Sequence, residues 1–347
     1  MRREKENIAV VEQNAHATIE PGYVVGADVG GTNLRLALAD MSGTILSRWS
    51  SSTVSLRGPE AVIQLVCSGA KTMLQEIATP LDALRTIAIG VPGVTDVDNG
   101  IVIATSYLMG WRDVPLRALV EKELHVTVVV DNDVNMAAIG EQWAGSARDA
   151  RDFVFLAIGT GIGAGIVLNG NLHRGNAWSA GEIGYMLIPG AAEIPTKSDE
   201  PGALERMIGG EGIKSQWHKP SSTAGAEPSR EFNATEIFDH AVDGDPHAQA
   251  LLRQSSTMLA QAIYNVFLVL NCPLFVLGGT VGMHPALGDA AQKALDQWIV
   301  PVSPRLVRST LGTDAQLFGA VRAALEAGRA CPVSRQGGPV SIERVRL

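Results

Sequence analysis

Cysteine is scarce in this chain of 347 residues: there are three, Cys67, Cys272 and Cys331, far apart and odd in number. Such a set supplies neither a disulfide framework nor a zinc knuckle, and it fits a reducing compartment, so the expected location is the cytoplasm. Blocks of like charge are missing as well. The formal net charge is -8, yet the acidic residues are dispersed and Lys and Arg gather on no one segment, which argues against nucleic-acid binding by bulk electrostatics. Long apolar runs are also absent. The most apolar stretch, Ala262 to Leu277, is interrupted by Asn265, Asn271 and Pro273, so it predicts a buried helix turning into a buried strand and no membrane span. Met1 to Pro21 is charged and polar and lacks the apolar core of a secretory signal.

What is present is enough apolar residue, 46% of the chain, for two packed cores, and two α/β lobes are expected. After an extended or disordered leader (1–22), residues 23–133 read as a smaller lobe: a glycine hairpin, a helix near Pro59 to Ile77, a strand at Thr86 to Gly90, a helix near Val114 to Leu124, and a strand at Val126 to Val130. Residues 134–313 read as a larger lobe, opening on a helix and containing the hairpin Phe153 to Gly170, mostly helical sequence to Cys272, and the strand Leu274 to Leu277. Pro189 to Gly202 and Pro220 to Pro228 are expected to be exposed connections. The last helical pattern covers 314–328, and 329–347 is a tail without periodicity.

The two hairpins share one plan. In Gly26 to Asp40, GADVGGTNLRLALAD, β-formers precede Gly30-Gly31-Thr32, and Leu34, Leu36 and Leu38 alternate with Arg35 and Ala37 after it. The same strand, Gly/Thr turn and strand recur at Ala157 to Leu168 around Gly159-Thr160-Gly161. A Walker loop or dinucleotide fingerprint needs a helix after its glycines, and neither turn is followed by one. The second turn also fits G-x-G-x-x-A, but the strand and Asn-Gly turn that follow disfavour a dinucleotide site. Each turn on its own is a structural turn or a cradle for phosphate; two facing each other, with their backbone N–H groups and the hydroxyls of Thr32 and Thr160, would hold a polyphosphate from both sides.

Five ordered motifs over roughly residues 23–328 resemble the ROK family of bacterial sugar kinases and repressors, within the actin, hexokinase and Hsp70 ATPase superfamily. Asp28-Val-Gly-Gly-Thr-Asn-Leu-Arg35 and Gly159-Thr-Gly-Ile-Gly163 resemble its two phosphate motifs. Phe275-Val-Leu-Gly278-Gly279-Thr280 resembles its adenosine motif, Leu311 to Ala320 its closing helix, and Ala180-Gly-Glu182-Ile-Gly-Tyr185 its Glu-x-Gly-His sugar signature. The resemblance implies a two-lobed actin-like ATPase (ribonuclease H-like) α/β fold with nucleotide and sugar in the cleft between the lobes. It implies phosphate and nucleotide contacts at Gly30, Gly31, Thr32, Gly159, Thr160, Gly161, Gly278 and Gly279, and sugar contacts at Asn132, Asp133, Glu182, Tyr185 and Glu205.

Within Val128 to Glu141, Asp133 is either a helix N-cap or, as the resemblance implies, the catalytic base that takes the proton of the attacking hydroxyl. Asp28 beside a polyphosphate would be repulsive without a cation between them, so it is assigned to Mg²⁺, through water; its alternative is a turn-stabilising role. Arg35 reads equally as a structural ion-pair partner and is left out of the site. The chain departs from the family where His is replaced by Tyr185 and where the cysteine-rich zinc loop is replaced by Pro189 to Met207, so no structural zinc is expected and tyrosine is not expected to staple this loop. It departs again where the family tends to have Asn and Pro at the positions of Tyr107 and Met109. The implied function is a cytoplasmic, homodimeric ATP- and Mg²⁺-dependent hexose kinase acting on the 6-hydroxyl of glucose or a related hexose, with sugar and nucleotide as partners and neither nucleic acid nor membrane. The rivals are a catalytically silent sugar-binding protein; a repressor, which would need a helix-turn-helix module for which a leader of about 22 residues has no room; and a chaperone- or actin-type ATPase.

Overall fold

The computed structural model describes residues 22–105, 107–191, 194–197, 200–217, 232–298 and 303–330. The leader before Gly22, the Pro220 to Pro228 connection, and the tail with Cys331 lie outside these residues.

The first lobe grows from a hairpin of β1 (Tyr23–Val29) and β2 (Asn33–Asp40), extended by β3 (Ile45–Ser52). Helix α1 (Gly58–Glu76) carries Pro59 in its first turn, where the missing N–H would be unpaired in any case. It buries Val62, Ile63, Val66, Cys67, Ala70, Met73 and Leu74, the spacing of one helical face. Next come β4 (Leu84–Val91), the short strands β5 (Val94–Asp96), β6 (Ile101–Ala104) and β7 (Arg112–Val114), helix α2 (Leu116–Leu124), and β8 (Thr127–Asn132). The sequence suggested a helix from Val114. That residue ends β7 instead, because it precedes Pro115, whose ring disfavours the helical region for its predecessor.

Helix α3 (Asp133–Ala144) leads to the second lobe, where β9 (Phe153–Ile158) and β10 (Ile162–Leu168) form the second hairpin. The Asn169-Gly170 turn, with φ of 53° and 80°, joins β10 to β11 (Asn171–His173). Then follow α4 (Glu205–Ile208), α5 (Gly210–Gln216), α6 (Ala234–Val242), α7 (Pro246–Leu270), β12 (Leu274–Gly278), α8 (Gly279–Gly282), α9 (Pro285–Leu295), β13 (Arg305–Arg308) and α10 (Ala315–Ala330). The apolar stretch Ala262 to Leu277 is thus the end of α7 and the start of β12, with Asn271 in the left-handed conformation at the break.

The sheets have one topology used twice: β3-β2-β1-β4-β8 in the first lobe and β11-β10-β9-β12-β13 in the second. In each, an antiparallel hairpin is continued by two parallel strands, so strand ends and both glycine turns collect at corresponding edges. Each lobe has its own core, around Ile87, Ile89 and Met73 in the first and around Phe238, Ile263 and Phe275 in the second. Helices α3 and α10 pack between them, Met136 with Leu317 and Val321 toward the first sheet and Ala137 with Phe153 and Phe155 toward the second. The two helices meet backbone to backbone, since a methyl on Gly319 would overlap the carbonyl of Met136. Among the described residues no helix is long and apolar enough to cross a membrane.

Candidate active site

The first glycine turn is pinned at its base. The Gly30 amide donates to the Asn33 carbonyl at 2.8 Å, and Thr53 donates its hydroxyl to the Gly30 carbonyl and its amide to the Thr32 carbonyl, both at 2.9 Å. Gly31 and Thr32 remain exposed at the tip. In the second turn the Gly159 amide donates to the Gly161 carbonyl at 3.0 Å, and Gly159 accepts from the Gly210 amide at 2.7 Å. Space above Gly159 is open, with no heavy atom within 4 Å of where a Cβ would stand. A cavity of about 420 Å³ opens here, lined by Gly159, Thr160, Gly210, Lys214 and Thr280 among others. The third motif therefore meets the second. Gly279 has φ of 76° and its backbone lies against the Ile158 carbonyl, leaving no room for a side chain.

Asp28 and Arg35 are directly opposed across the first hairpin. The guanidinium donates to one carboxylate oxygen, Oδ2, from Nη2 at 2.5 Å and from Nε at 3.0 Å. Arg35 also reaches Asp314 at 3.5 Å, and Arg48 pairs with Asp314 at 2.7 Å, so this network ties the hairpin to the start of α10. Arg35 is thus a first-hairpin ion-pair partner, and the register of a hairpin centred on Gly31-Thr32 was the signal for it.

The end of β8 carries three polar residues with separate duties. Asp131, 2% exposed, accepts from Arg174 at 2.7 and 2.8 Å, from Asn135 Nδ2 at 2.9 Å, and from the Asn132 amide at 2.8 Å. Asn132 is the N-cap of α3: its Oδ1 accepts from the Val134 and Asn135 amides at 2.8 and 3.1 Å, and its Nδ2 donates to the Gly93 carbonyl at 3.0 Å. The capping reading offered for Asp133 therefore belongs to its neighbour. Asp133 is the first helical residue, its Oδ1 sharing the Val134 amide at 2.9 Å. Asp131 and Arg174 escaped the sequence reading because their partnership spans 43 positions.

Glu182 precedes a single turn of 3₁₀ helix, Ile183–Tyr185. The Tyr185 hydroxyl donates to the Glu200 carbonyl at 3.0 Å, so the tyrosine does tie down the loop that it was not expected to staple. Arg206 pairs with the Glu200 side chain at 2.6 Å, and the Leu204 amide donates to the Gly184 carbonyl at 3.0 Å. These bonds deliver Glu205 at the start of α4, where its Oε2 accepts from the Ile162 amide at 2.9 Å. From the first lobe, the Tyr107 hydroxyl stands 3.4 and 3.5 Å from the two Glu205 oxygens.

The carboxyls feel one another. Asp133 is pushed up from 3.8 to about 7, first by its desolvated setting and then by the charge of Asp28, with Glu182 adding to it. Burial, then Glu205, raises Glu182; burial also raises Glu205, against the opposing hydrogen bonds from Ile162 and Tyr107. Asp28 is raised by burial despite the lowering effect of Arg35. Asp28, Asp133, Glu182 and Glu205 thus form a series of mutually repelling carboxyls that runs from the first turn toward the second. Among the described residues no three His, Cys, Asp or Glu side chains converge as a metal cage. Arg35 engages Oδ2 of Asp28, and its other carboxylate oxygen fits Mg²⁺ held through water, since that ion keeps several waters and takes its remaining ligands from phosphates.

A family model described as the ROK family matches residues 24–327. The glucokinase of Halalkalibacterium halodurans is 30% identical over 311 residues, which cover 86% of this chain and 93% of that protein. A ROK hexokinase structure from Thermus thermophilus superposes with a TM-score of 0.72 at 27% identity, covering 89% of this chain and all (100%) of the other. A ROK glucokinase from Streptomyces griseus, solved with glucose and AMPPNP, superposes with a TM-score of 0.69 at 22% identity over 88% of this chain and 100% of that one.

Proposed function

Because the chain belongs to the ROK family and has its two-lobed, actin-like ATPase fold, we propose that it is an ATP-dependent sugar kinase that transfers the γ-phosphoryl group to the 6-hydroxyl of glucose or a related hexose. The observation that carries this is Asp133: a carboxyl fixed at the first position of α3, coupled to Asp28 on the phosphate side and to Glu182 on the other, and poised at about 7. A base with that value is largely ionised just above neutral pH and holds a proton better than an ordinary carboxylate, the compromise that general-base catalysis favours.

In this reading the sugar lies against Asn132, Asp133, Glu182 and Glu205, while Tyr185 acts through the loop it ties. The acceptor hydroxyl gives its proton to Asp133 as its oxygen bonds to the γ-phosphorus. The bond from that phosphorus to the β,γ-bridging oxygen breaks, and its electrons leave with ADP. Gly30, Gly31 and Thr32 on one side and Gly159, Thr160 and Gly161 on the other hold the phosphates by backbone N–H and hydroxyl donors, with Gly278 and Gly279 toward the nucleoside. Asp28 would hold Mg²⁺ through water, supplying neutralisation of phosphate charge. Positioning and charge stabilisation carry most of the rate in such transfers, with acid-base help on the order of 10²- to 10⁴-fold. We extend the proposal to a cytoplasmic homodimer that works without structural zinc.

An ADP-release assay over hexoses and N-acetylhexosamines tests the reading. Sugar-dependent release of ADP with a phosphorylated sugar as co-product is the expected result. Tight sugar binding without turnover on any of them would favour the catalytically silent sugar binder.

A further inference from the structure

Tyr107 lies apart from the machinery assigned above, yet it reaches both glycine turns and Glu205. It follows β6, with its amide held by the Thr105 hydroxyl at 3.1 Å. Its carbonyl oxygen would stand 2.8 Å from a Cβ on Gly31, so its backbone abuts the first glycine turn. Its phenol crosses to the other lobe, where a Cβ on Gly161 would overlap the hydroxyl oxygen. One residue therefore reaches from one turn to the other, its backbone at the first and its phenol at the second. Although the residue is 41% exposed, burial and then the charges of Glu205, Asp133 and Glu182 hold its hydroxyl proton far above the usual phenol range, so it stays a donor.

The contact it makes is loose. O–H···O hydrogen bonds run about 2.5–3.0 Å, whereas this hydroxyl is 3.4 and 3.5 Å from Glu205 Oε1 and Oε2. The carboxylate itself is well anchored, through Oε2 and the Ile162 amide at 2.9 Å. A carboxylate anchored through one oxygen, whose other oxygen meets a poorly seated donor on an exposed ring, is an arrangement in which a better donor takes over.

Resting on the kinase reading, in which Glu205 receives an acceptor hydroxyl, we infer that Tyr107 is a specificity-determining residue whose phenol competes with the acceptor for Glu205. An acceptor enters by replacing the phenolic hydroxyl at Glu205, which requires the ring to leave the space between Gly31 and Gly161. A sugar with a hydroxyl directed at Glu205 compensates the displaced contact. An analogue lacking it does not, and the phenol keeps its place.

The test is calorimetric titration of glucose, without nucleotide, into the parent, Tyr107→Phe and Tyr107→Ala, with KM values for sugar and ATP measured alongside. Tyr107→Phe keeps the ring and removes the competing donor, so glucose binding should tighten about two- to tenfold, the range of one hydrogen bond, with the KM for ATP unchanged. Tyr107→Ala should bind at least as tightly and should accept deoxy analogues that the parent rejects. In a Glu205→Gln background the gain from Tyr107→Phe should shrink toward nothing, since the group competed for is altered. Weaker glucose binding in Tyr107→Phe would make the phenol a sugar ligand and overturn the inference, as would unchanged binding in both variants. A parent that binds glucose without releasing ADP sinks the kinase reading and leaves the competition to be judged by the titrations, whereas a parent that binds no hexose overturns both.

Discussion

Lowering the pH should slow this protein far sooner than it slows an enzyme whose base is an ordinary carboxylate. Asp133 is placed at about 7, and a base acts only when ionised, so kcat/KM for the acceptor should climb through neutrality and level off above pH 8. Between pH 8 and pH 5 the ionised fraction falls about 90-fold for such a group, against less than a tenth for one left at the ordinary 3.8. The assay is ADP release at sub-saturating sugar with quenched time points, because kcat/KM reports the free enzyme. The cause is testable too. Desolvation comes first and Asp28 second, so Glu182→Gln should move the acid limb slightly down and Asp28→Asn, where residual turnover allows, further. Stability carries the same signature with a definite sign. Folding raises this pKa, so the folded chain binds the extra proton between pH 3.8 and about 7, and stability is lost as the pH rises through that window. The gap corresponds to at most about 4 kcal/mol, and Asp133→Asn should be the more stable protein at pH 8 while matching the parent near pH 4. An acid limb near pH 4, or stability at pH 8 unaffected by the amide, would refute this account of the site.

Tyr185→Phe removes the donor to the Glu200 carbonyl, worth about 0.5 to 1.5 kcal/mol. It should raise the KM for sugar with little change for ATP and speed proteolysis between residues 190 and 201; unchanged values would leave the tie without a role in presenting Glu205. Gly319→Ala drives a methyl into the Met136 carbonyl where α10 crosses α3. Urea denaturation should record a loss of about 1 to 3 kcal/mol, the usual range for overpacking, and no loss would mean that the helices separate easily. Metal analysis of the purified protein should find no stoichiometric zinc, and one tightly held zinc per chain would contradict the reading of the loop after Tyr185.

The features legible in the sequence are those with local signals. Both glycine hairpins, the α7-to-β12 passage and the closing helix follow from alternation, helical spacing and turn residues, and the structure has them at β1–β2, β9–β10, Leu270–Leu274 and α10. The strands β5, β6 and β7 are only three or four residues long, too short to show a period, and so they went unread. Asn132 and Asp133 are both good caps, and the choice between them was made by the Gly93 carbonyl, which holds the Asn132 amide group. The contacts that shape the sugar side are long-range: Tyr107 with Glu205 across 98 positions, Glu205 with Ile162 across 43. No composition or spacing rule carries them. Tyr185 misled for a chemical reason. Its difference from histidine removes a metal ligand, while its hydroxyl, reaching the Glu200 carbonyl, serves the same loop.

The most direct test of the central claim is a comparison of the parent with Asp133→Asn, giving both ATP, Mg²⁺ and glucose, and measuring ADP and phosphorylated sugar together with glucose affinity. The account predicts that the parent forms the two products in equal amounts. The variant should bind glucose within a few-fold of the parent and lose at least about 10²-fold in kcat, since the amide keeps the shape and cannot accept the proton. A variant that turns over within a few-fold of the parent would reduce Asp133 to the first residue of a helix and contradict the mechanism.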